Sequence, residues 1–336
     1  MHFDFTDEQY QLRDAARDFF AGESSAAHVR AMWESDTGRS PELWAKMAEM
    51  GFVGLTVPEE HGGLGMNEID LVLLLEEAGK AALPEPLLET TAVAAPTLLE
   101  AGTPEQVKQW LPRIAAGEAV VTVQLGGAPL VADAHIADLL IVERDGALHA
   151  VPSDRFTATA QPSMDGARRV FTVEAQTDDG TRMDADAGAI AKAFDRGAWA
   201  AATFLAGIAQ TELDMTVAYV KEREQFGRPV GSFQAVKHKL AETLLVVESA
   251  KAAVWYAAYA IATDAADRSQ AVSVAKSYAT DAEHKANYES LQCHGGIGFT
   301  WEHDLHLWLK RGKALAPAYG SARWHRERLA ADLFSA

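Results

Sequence analysis

One apolar seam constrains this chain more than any other feature. Phe233, Val236, Leu240, Leu244, Val247, Val254, Ala258 and Ile261 recur at steps of three and four, or of seven across Lys251. Only a helix brings such positions onto one face, and a stripe of that length needs neighbouring helices to cover it. The sequence on either side supplies them. "DRGAWAAATFLAGIAQTELDMTVAYVKEREQFG" is expected as a helix ending at Gly227, with Pro229 just beyond. The seam helix is expected from Ser232, a third helix through "SVAKSYATDAEHKANYESLQCH" into Gly295-Gly296, and a fourth through "HDLHLWLKRGKAL". These make a four-helix bundle domain over residues 188–336.

Two other textures precede the bundle. Residues 1–119 read as capped helices joined by short turns. Thr6 is an N-cap with Gln9 completing the box, Phe5 packs back on the first turn, and Gly22 closes the helix. Ser40 and Pro41 open a second helix that carries Leu43, Met47 and Met50 on one stripe before Gly51. "NEIDLVLLLEEAGKAAL" is apolar enough to be buried, and "TPEQVKQWLPRIAAGE" repeats the capped start with Pro at the first position. From about Val120 the period shortens: "VVTVQL", "LLIVERDGALHAV" and "RRVFTVEAQTDDGTRM" are strand-like, with Asp145-Gly146 as a hairpin turn. A compact β domain is expected over 120–187, so the class is mainly α with a β domain.

Composition excludes several functions. The net charge of −18 repels phosphate backbones and anionic headgroups, so neither a nucleic-acid partner nor a membrane surface is expected. No apolar run approaches the roughly 20 residues that span a bilayer. A lone cysteine, Cys293, allows no intrachain disulfide, and the acidic start "MHFDFTDEQYQLRD" has no basic, then apolar, leader; both favour the cytoplasm. His294, His303, His306 and His325 lack the spacing that metalloproteases use, and no metal is expected.

Two stretches are built to hold something. "REQFGRPVGSFQ", residues 223–234, places a cation, amides and an aromatic ring around a tight turn into a helix start, where free backbone N–H groups bind anions. "QCHGGIGFT", residues 292–300, ends a helix in a double glycine that lets a ligand reach the backbone. Taken singly, Gly227 and Gly295-Gly296 read equally as helix caps. Taken with "FDFTDEQ", "GFVGLTVPEEHGGLGM" and "GTPEQVKQWLPRIAAGE", in that order, the chain resembles the acyl-CoA dehydrogenase family from near residue 3 to near residue 325. The resemblance implies an N-terminal helical domain, a middle β domain and a C-terminal four-helix bundle, with FAD and an acyl-CoA thioester between them. It implies that Arg223, Gln225 and Phe226 of the "RxQFG" stretch, with Gln234, contact FAD. Gln292, Gly295 and Gly296 would hold the ADP half of a neighbouring subunit's FAD.

The same resemblance exposes an absence. Many family members remove the α-proton with a glutamate in a Glu-Gly-Thr run downstream of the double glycine; here that place holds Tyr319-Gly320-Ser321. A phenol with a reference pKa of about 10 is a poor base near neutrality. Asp264, near the end of the seam helix, is the alternative base that a small slip in alignment would allow. The middle domain is shortened too, with "VQLGGAPLVADAHIADLL" where the family supplies contacts to the flavin ring. These losses imply a mixed assembly, two copies of each of two homologous chains, in which a glutamate-bearing partner completes the site, as in steroid-catabolism dehydrogenases. An electron-transfer flavoprotein is the expected electron acceptor. A self-sufficient homo-oligomer and a non-catalytic scaffold on the same fold remain the alternatives.

Overall fold

The computed structural model describes residues 4–334. Its N-terminal part comprises α1 (Asp7–Glu23), α2 (Ala26–Glu34), α3 (Pro41–Glu49), α4 (Glu68–Lys80), α5 (Ala95–Ala101) and α6 (Pro104–Ala115). Thr6 with Gln9, and Thr103 with Gln106, form reciprocal capping boxes, and Ser40 accepts from Leu43 N with Pro41 at the first position. Two details differ from the sequence reading. Gly22 lies inside α1, which ends against Ser24, because nothing there needs a left-handed residue. Met50 is 45% exposed, and Trp44 joins Leu43 and Met47 on the buried face of α3 instead. A π-helical turn at Leu88–Ala94 leads into α5 and buries Glu89, Thr90 and Thr91.

The strands are β1 (Val121–Gln124), β2 (Val131–Ala132), β3 (Leu139–Arg144), β4 (Ala147–Pro152), β5 (Phe156–Gln161) and β6 (Val170–Ala175). They form two three-stranded sheets, in the orders β1-β3-β4 and β2-β6-β5. The pair β1 and β3 is parallel and the other pairs are antiparallel. Asp145 and Gly146, at φ +50 and +73, make the left-handed two-residue turn between β3 and β4. "FTATAQ" gives no apolar alternation because β5 lies largely exposed, so this strand escapes the sequence pattern.

The C-terminal part holds α7 (Ala187–Glu222), the short hairpin strands β7 (Glu224–Gln225) and β8 (Arg228–Pro229), α8 (Gln234–Ala262), α9 (Arg268–His294), α10 (Leu305–Leu315) and α11 (Ala322–Phe334). The expected end of α7 at Gly227 is corrected to Glu222: residues 224–229 pair into a hairpin around Phe226 and Gly227, both at positive φ. The start of α8 moves from Ser232 to Gln234, after a 3-10 turn at Val230–Ser232. α11 adds a helix beyond the expected four.

α7 is the central strut, packed against α4, α8 and α9. Gly79 and Gly207 let α4 and α7 cross closely, since a Cβ at either would overlap the other helix's backbone, at Phe204 O or Glu76 O respectively. The seam is only half internal. Val247, Val254, Ala258 and Ile261 are buried, whereas Leu244 is 46% exposed. By length and composition α8 could cross a membrane. Here it packs against α7 and α9 as a bundle helix.

Candidate active site: an exposed grip and a half-open cavity

The residues singled out from sequence fall in two places. The first is the end of the bundle where α7, the hairpin, the start of α8 and the end of α9 converge. Arg223 caps α7, Gln225 and Phe226 lie in the hairpin, and Gln234 is the first residue of α8; all are exposed, Phe226 at 93%. Tyr219, one turn before Arg223, stacks on His294 with ring centroids 4.4 Å apart, and its hydroxyl reaches His294 O at 3.5 Å. That contact sets the end of α9, with exposed Gln292, beside the hairpin.

The local chemistry fits an anion with a sugar attached. No side chain caps α8, where Phe233 stands at the N-cap, so its first N–H groups are unclaimed by a capping oxygen. Ser232 Oγ is buried next to that helix start without a hydrogen-bond partner. Arg223 makes no ion pair among the described residues, which leaves its guanidinium free for a phosphate. Gly295 adopts φ +63 and ψ −141, and a Cβ at Gly295 or Gly296 would meet no atom within 4 Å, so the backbone there is open. Arg228 lies over the Phe233 ring at 4.1 Å and stiffens the turn.

The second place is a cavity of about 350 Å³ between the β sheets, α7 and the loop after α10. Val123, Leu125, Leu130, Phe194 and Trp324 form apolar walls, and Tyr319, Glu89 and Arg168 supply the polar lining. Tyr319 and Gly320 sit at φ +54 and +94, a bend that must be held from outside. Lys276 donates to Ala316 O at 2.7 Å and to Gly320 O at 3.1 Å. His325 Nε2 donates to Tyr319 O at 2.9 Å while Nδ1 accepts from Ser273 Oγ at 3.1 Å, which fixes a neutral tautomer.

Burial governs the charges around this loop. It brings Lys276 down to about 7 and His325 down to about 4; for His325 the Tyr319 carbonyl partly opposes the fall, and Lys276 and Arg328 add to it. Burial first, and then the Glu89 charge, push the Tyr319 phenol well above its ordinary value, so it stays protonated. Glu89 is 2% exposed and pairs with Arg168 at 3.0 Å. Burial works against the Arg168 charge, but Glu89 and Asp133 outweigh it and hold the guanidinium above its usual range. Asp133, buried beside this pair, rises to about 7, from burial first and then from Glu89.

The structure does not bring Asp264 to this cavity. It caps the α8–α9 turn at φ +48, is 68% exposed at its side chain, and is paired with Arg268. The carboxylate that lines the cavity is Glu89, which sequence reading missed. Its signal is an acid inside the apolar run "LLETTAVAAP", where burial requires a partner. Among the described residues no three His, Cys, Asp or Glu side chains gather as metal ligands. His306 packs on Trp301, with centroids 4.6 Å apart, and burial raises the Cys293 thiol above its ordinary value, which suits neither a ligand nor a nucleophile.

Helices, paired sheets and a helical bundle enclosing a substrate-sized cavity define the acyl-CoA dehydrogenase architecture. The chain belongs to that family: residues 6–118 match the acyl-CoA dehydrogenase N-terminal domain and residues 187–334 the C-terminal domain. It is 37% identical to acyl-CoA dehydrogenase IpdE2 of Mycolicibacterium smegmatis, over 98% of this chain and 100% of that protein. It is 34% identical to the IpdE2 of Mycobacterium tuberculosis, over 98% of both. Among solved structures it superposes on a chain of the ChsE4-ChsE5 complex from Mycobacterium tuberculosis with a TM-score of 0.92, 25% identity and full coverage of both chains. The Tcur3481-Tcur3483 steroid ACAD aligns with a TM-score of 0.88 and 27% identity over 98% of each chain.

Proposed function

We propose that this chain is a subunit of an FAD-dependent acyl-CoA dehydrogenase that converts an acyl-CoA thioester to its 2-enoyl product. It grips the ADP half of the cofactor, and a homologous partner supplies the catalytic glutamate. One observation supports this reading: half-buried Tyr319, its phenol pushed well above its ordinary value by burial, occupies the loop where the family carries its base, while Arg223 and the uncapped start of α8 stand exposed at the end of the bundle. Arg223 and the start of α8 are suited to the pyrophosphate; Gln292 and the open backbone at Gly295-Gly296 are suited to the adenosine side. FAD, when bound, supplies the acceptor for the hydride leaving the β-carbon. This chain's contribution is to bind and to orient; nothing it places in the grip removes a proton.

The outer surface supports a partner. Phe226, Leu245 and Tyr288 are 93%, 67% and 60% exposed on the hairpin, α8 and α9, large apolar side chains that a partner could cover. Two relatives in solved structures are named as pairs of unlike chains, and both contain a chain of this length and fold. On this reading the chain works in a heteromer with two copies of each chain, in the cytoplasm, and passes electrons to an electron-transfer flavoprotein. The relative named as a steroid ACAD favours a steroid-derived acyl group.

Turnover separates this reading from its rivals. The purified chain and its co-expressed complex with a glutamate-bearing homologue are assayed with an acyl-CoA and an artificial electron acceptor. Activity confined to the complex is expected. Turnover by the lone chain that disappears in Glu89→Gln would instead establish the self-sufficient enzyme, since Glu89 is the carboxylate lining its cavity.

A further inference from the structure

Two carboxyl groups stand together inside the bundle, apart from the grip and from the cavity. Glu212 on α7 and Glu283 on α9 are each 0% exposed. A glutamate is almost never buried so fully without a partner. Yet both side-chain oxygens of Glu212 and Oε2 of Glu283 have no hydrogen-bond donor among the described residues. Only Glu283 Oε1 is served: it accepts from Asn287 Nδ2 at 3.1 Å, and the same amide donates to Leu309 O at 3.2 Å.

The surroundings hold the pair in place. Glu212 O accepts from Thr216 Oγ1 at 2.6 Å and from Ser290 Oγ at 3.1 Å, the second bond joining α9 to α7. On the other side lies α10, where a Cβ at Gly312 would come within 2.1 Å of Glu283 Oε1, so only glycine lets that helix pass. Two cations face the pair. Lys313 of α10 has its Nζ 3.9 Å from Glu283 Oε2, and Lys276 lies two turns earlier on α9. Lys313 also meets His284 Nδ1 at 2.5 Å, and Lys276 is held by the carbonyls of Ala316 and Gly320.

Counting charge leaves room for one proton. Two ionised carboxylates beside the Lys313 ammonium would carry a net negative charge into a dry interior. One proton between them leaves a carboxylate opposite Lys313 and supplies an O–H donor to an oxygen that has none. A metal ion is the other way to join two carboxylates. Among the described residues, however, no three His, Cys, Asp or Glu side chains gather as ligands, and the ammonium already stands at that edge. Burial first, and for Glu212 the Glu283 charge next, push both groups above the ordinary carboxylate range, while Lys313 opposes the rise.

Position gives that proton a consequence. From Glu212, α7 runs on to Arg223, and from Glu283, α9 runs on to Gln292, so the pair lies about three turns below the outer grip. We propose that Glu212 and Glu283 share one proton as a latch between α7 and α9, and that its removal in alkali parts the two helix ends that form the grip. The proton belongs to this chain alone; the effect on FAD rests on the grip proposed above. A proton held only by the folded chain contributes stability that is full in acid and is lost as pH rises beyond the ordinary glutamate value of about 4.3.

Urea unfolding of the purified chain between pH 5.5 and 7.5 counts the proton. Glu212→Gln and Glu283→Gln each keep the shape and an amide donor but end the sharing. Relative to either variant, the wild-type folding constant should fall about tenfold per pH unit, the slope for one proton. Glu85, Asp133, Lys276 and His325 titrate in all three proteins, and their contributions cancel. The double variant should add nothing to either single one. A difference that does not change with pH would mean that both carboxylates are ionised, and a further slope between single and double variants would mean two independent protons; either result would overturn the shared proton. FAD retention by the co-expressed complex reads the latch itself. On raising the pH from 7 to 9.5 the wild type should lose flavin roughly tenfold faster than Glu212→Gln, a coupling of ordinary size. Equal loss from both, in a complex whose FAD is weakened by Arg223→Ala, would overturn the link between latch and grip. An Arg223→Ala variant without effect on FAD would remove the grip and the link together.

Discussion

His325 should act as the acid-sensitive pin of the Tyr319 loop. Its ring is 0% exposed, holds Tyr319 O through Nε2, and has its pKa brought down to about 4 from a reference of 6.5, by burial above all. A group whose folded pKa is depressed contributes stability that is present above the unfolded pKa and is lost as pH falls toward the folded one. A fall from 6.5 to about 4 corresponds to roughly 3 kcal/mol, most of which is lost between pH 7 and 4.5. Glu85 and Asp133, both raised to about 7 by burial, act in the opposite sense, since the folded state holds their protons more tightly. The useful measurement is therefore a difference. Urea unfolding, followed by tryptophan fluorescence, is compared for the wild type and His325→Gln at both pH values. Gln does not titrate, and the carboxylate contributions cancel. The wild-type advantage over the variant should shrink by roughly 2 to 3 kcal/mol on acidification. An advantage that is the same at both pH values would refute the argument that the ring is held neutral by burial.

Three further outcomes follow from other parts of the molecule. Arg223→Ala and Gln292→Ala, made in the assembled enzyme, should each weaken FAD retention in a flavin titration, the arginine by about 1.5–3 kcal/mol as for a charge-assisted contact; unchanged affinity in both would remove the basis of the cofactor assignment. Leu245→Glu should abolish association while keeping the helical circular dichroism, because a leucine still two-thirds exposed stands to contribute about 1–2 kcal/mol on burial and a carboxylate there must be desolvated; an unchanged mass by light scattering would place the partner elsewhere. Gly207→Ala should cost about 1–3 kcal/mol in urea unfolding, since its methyl would overlap Glu76 O across the α4–α7 crossing.

What was legible in the sequence had local causes. Caps at Thr6, Ser40 and Thr103 and the Asp145-Gly146 turn are set by neighbours within a few residues, and each stands where its pattern put it. The helical and β regions were legible for the same reason, as a change of period. Features decided by distant contacts were not. Gly227 read as the cap of α7, but pairing of Gln225 with Arg228 ends that helix at Glu222. Leu244 fits the seam period, yet no helix of this chain covers it, and periodicity cannot say whether a covering face belongs to the same chain. The candidate grip residues could be picked out because they follow one another along two short stretches. The cavity's polar group was not, because Glu89, Arg168 and Tyr319 come from a π-helical turn, a β-domain loop and the loop after α10, and only the fold joins them.

The central claim is that this chain holds a cofactor whose reaction needs a carboxylate from another chain. Co-expression with a glutamate-bearing homologue, followed by native mass and flavin quantitation of the purified complex, tests it most directly. The account predicts a heteromer containing two copies of each chain, with one FAD for every unlike pair and an interface burying more than about 2,000 Å². A stable homo-oligomer of this chain carrying one FAD per subunit would contradict it.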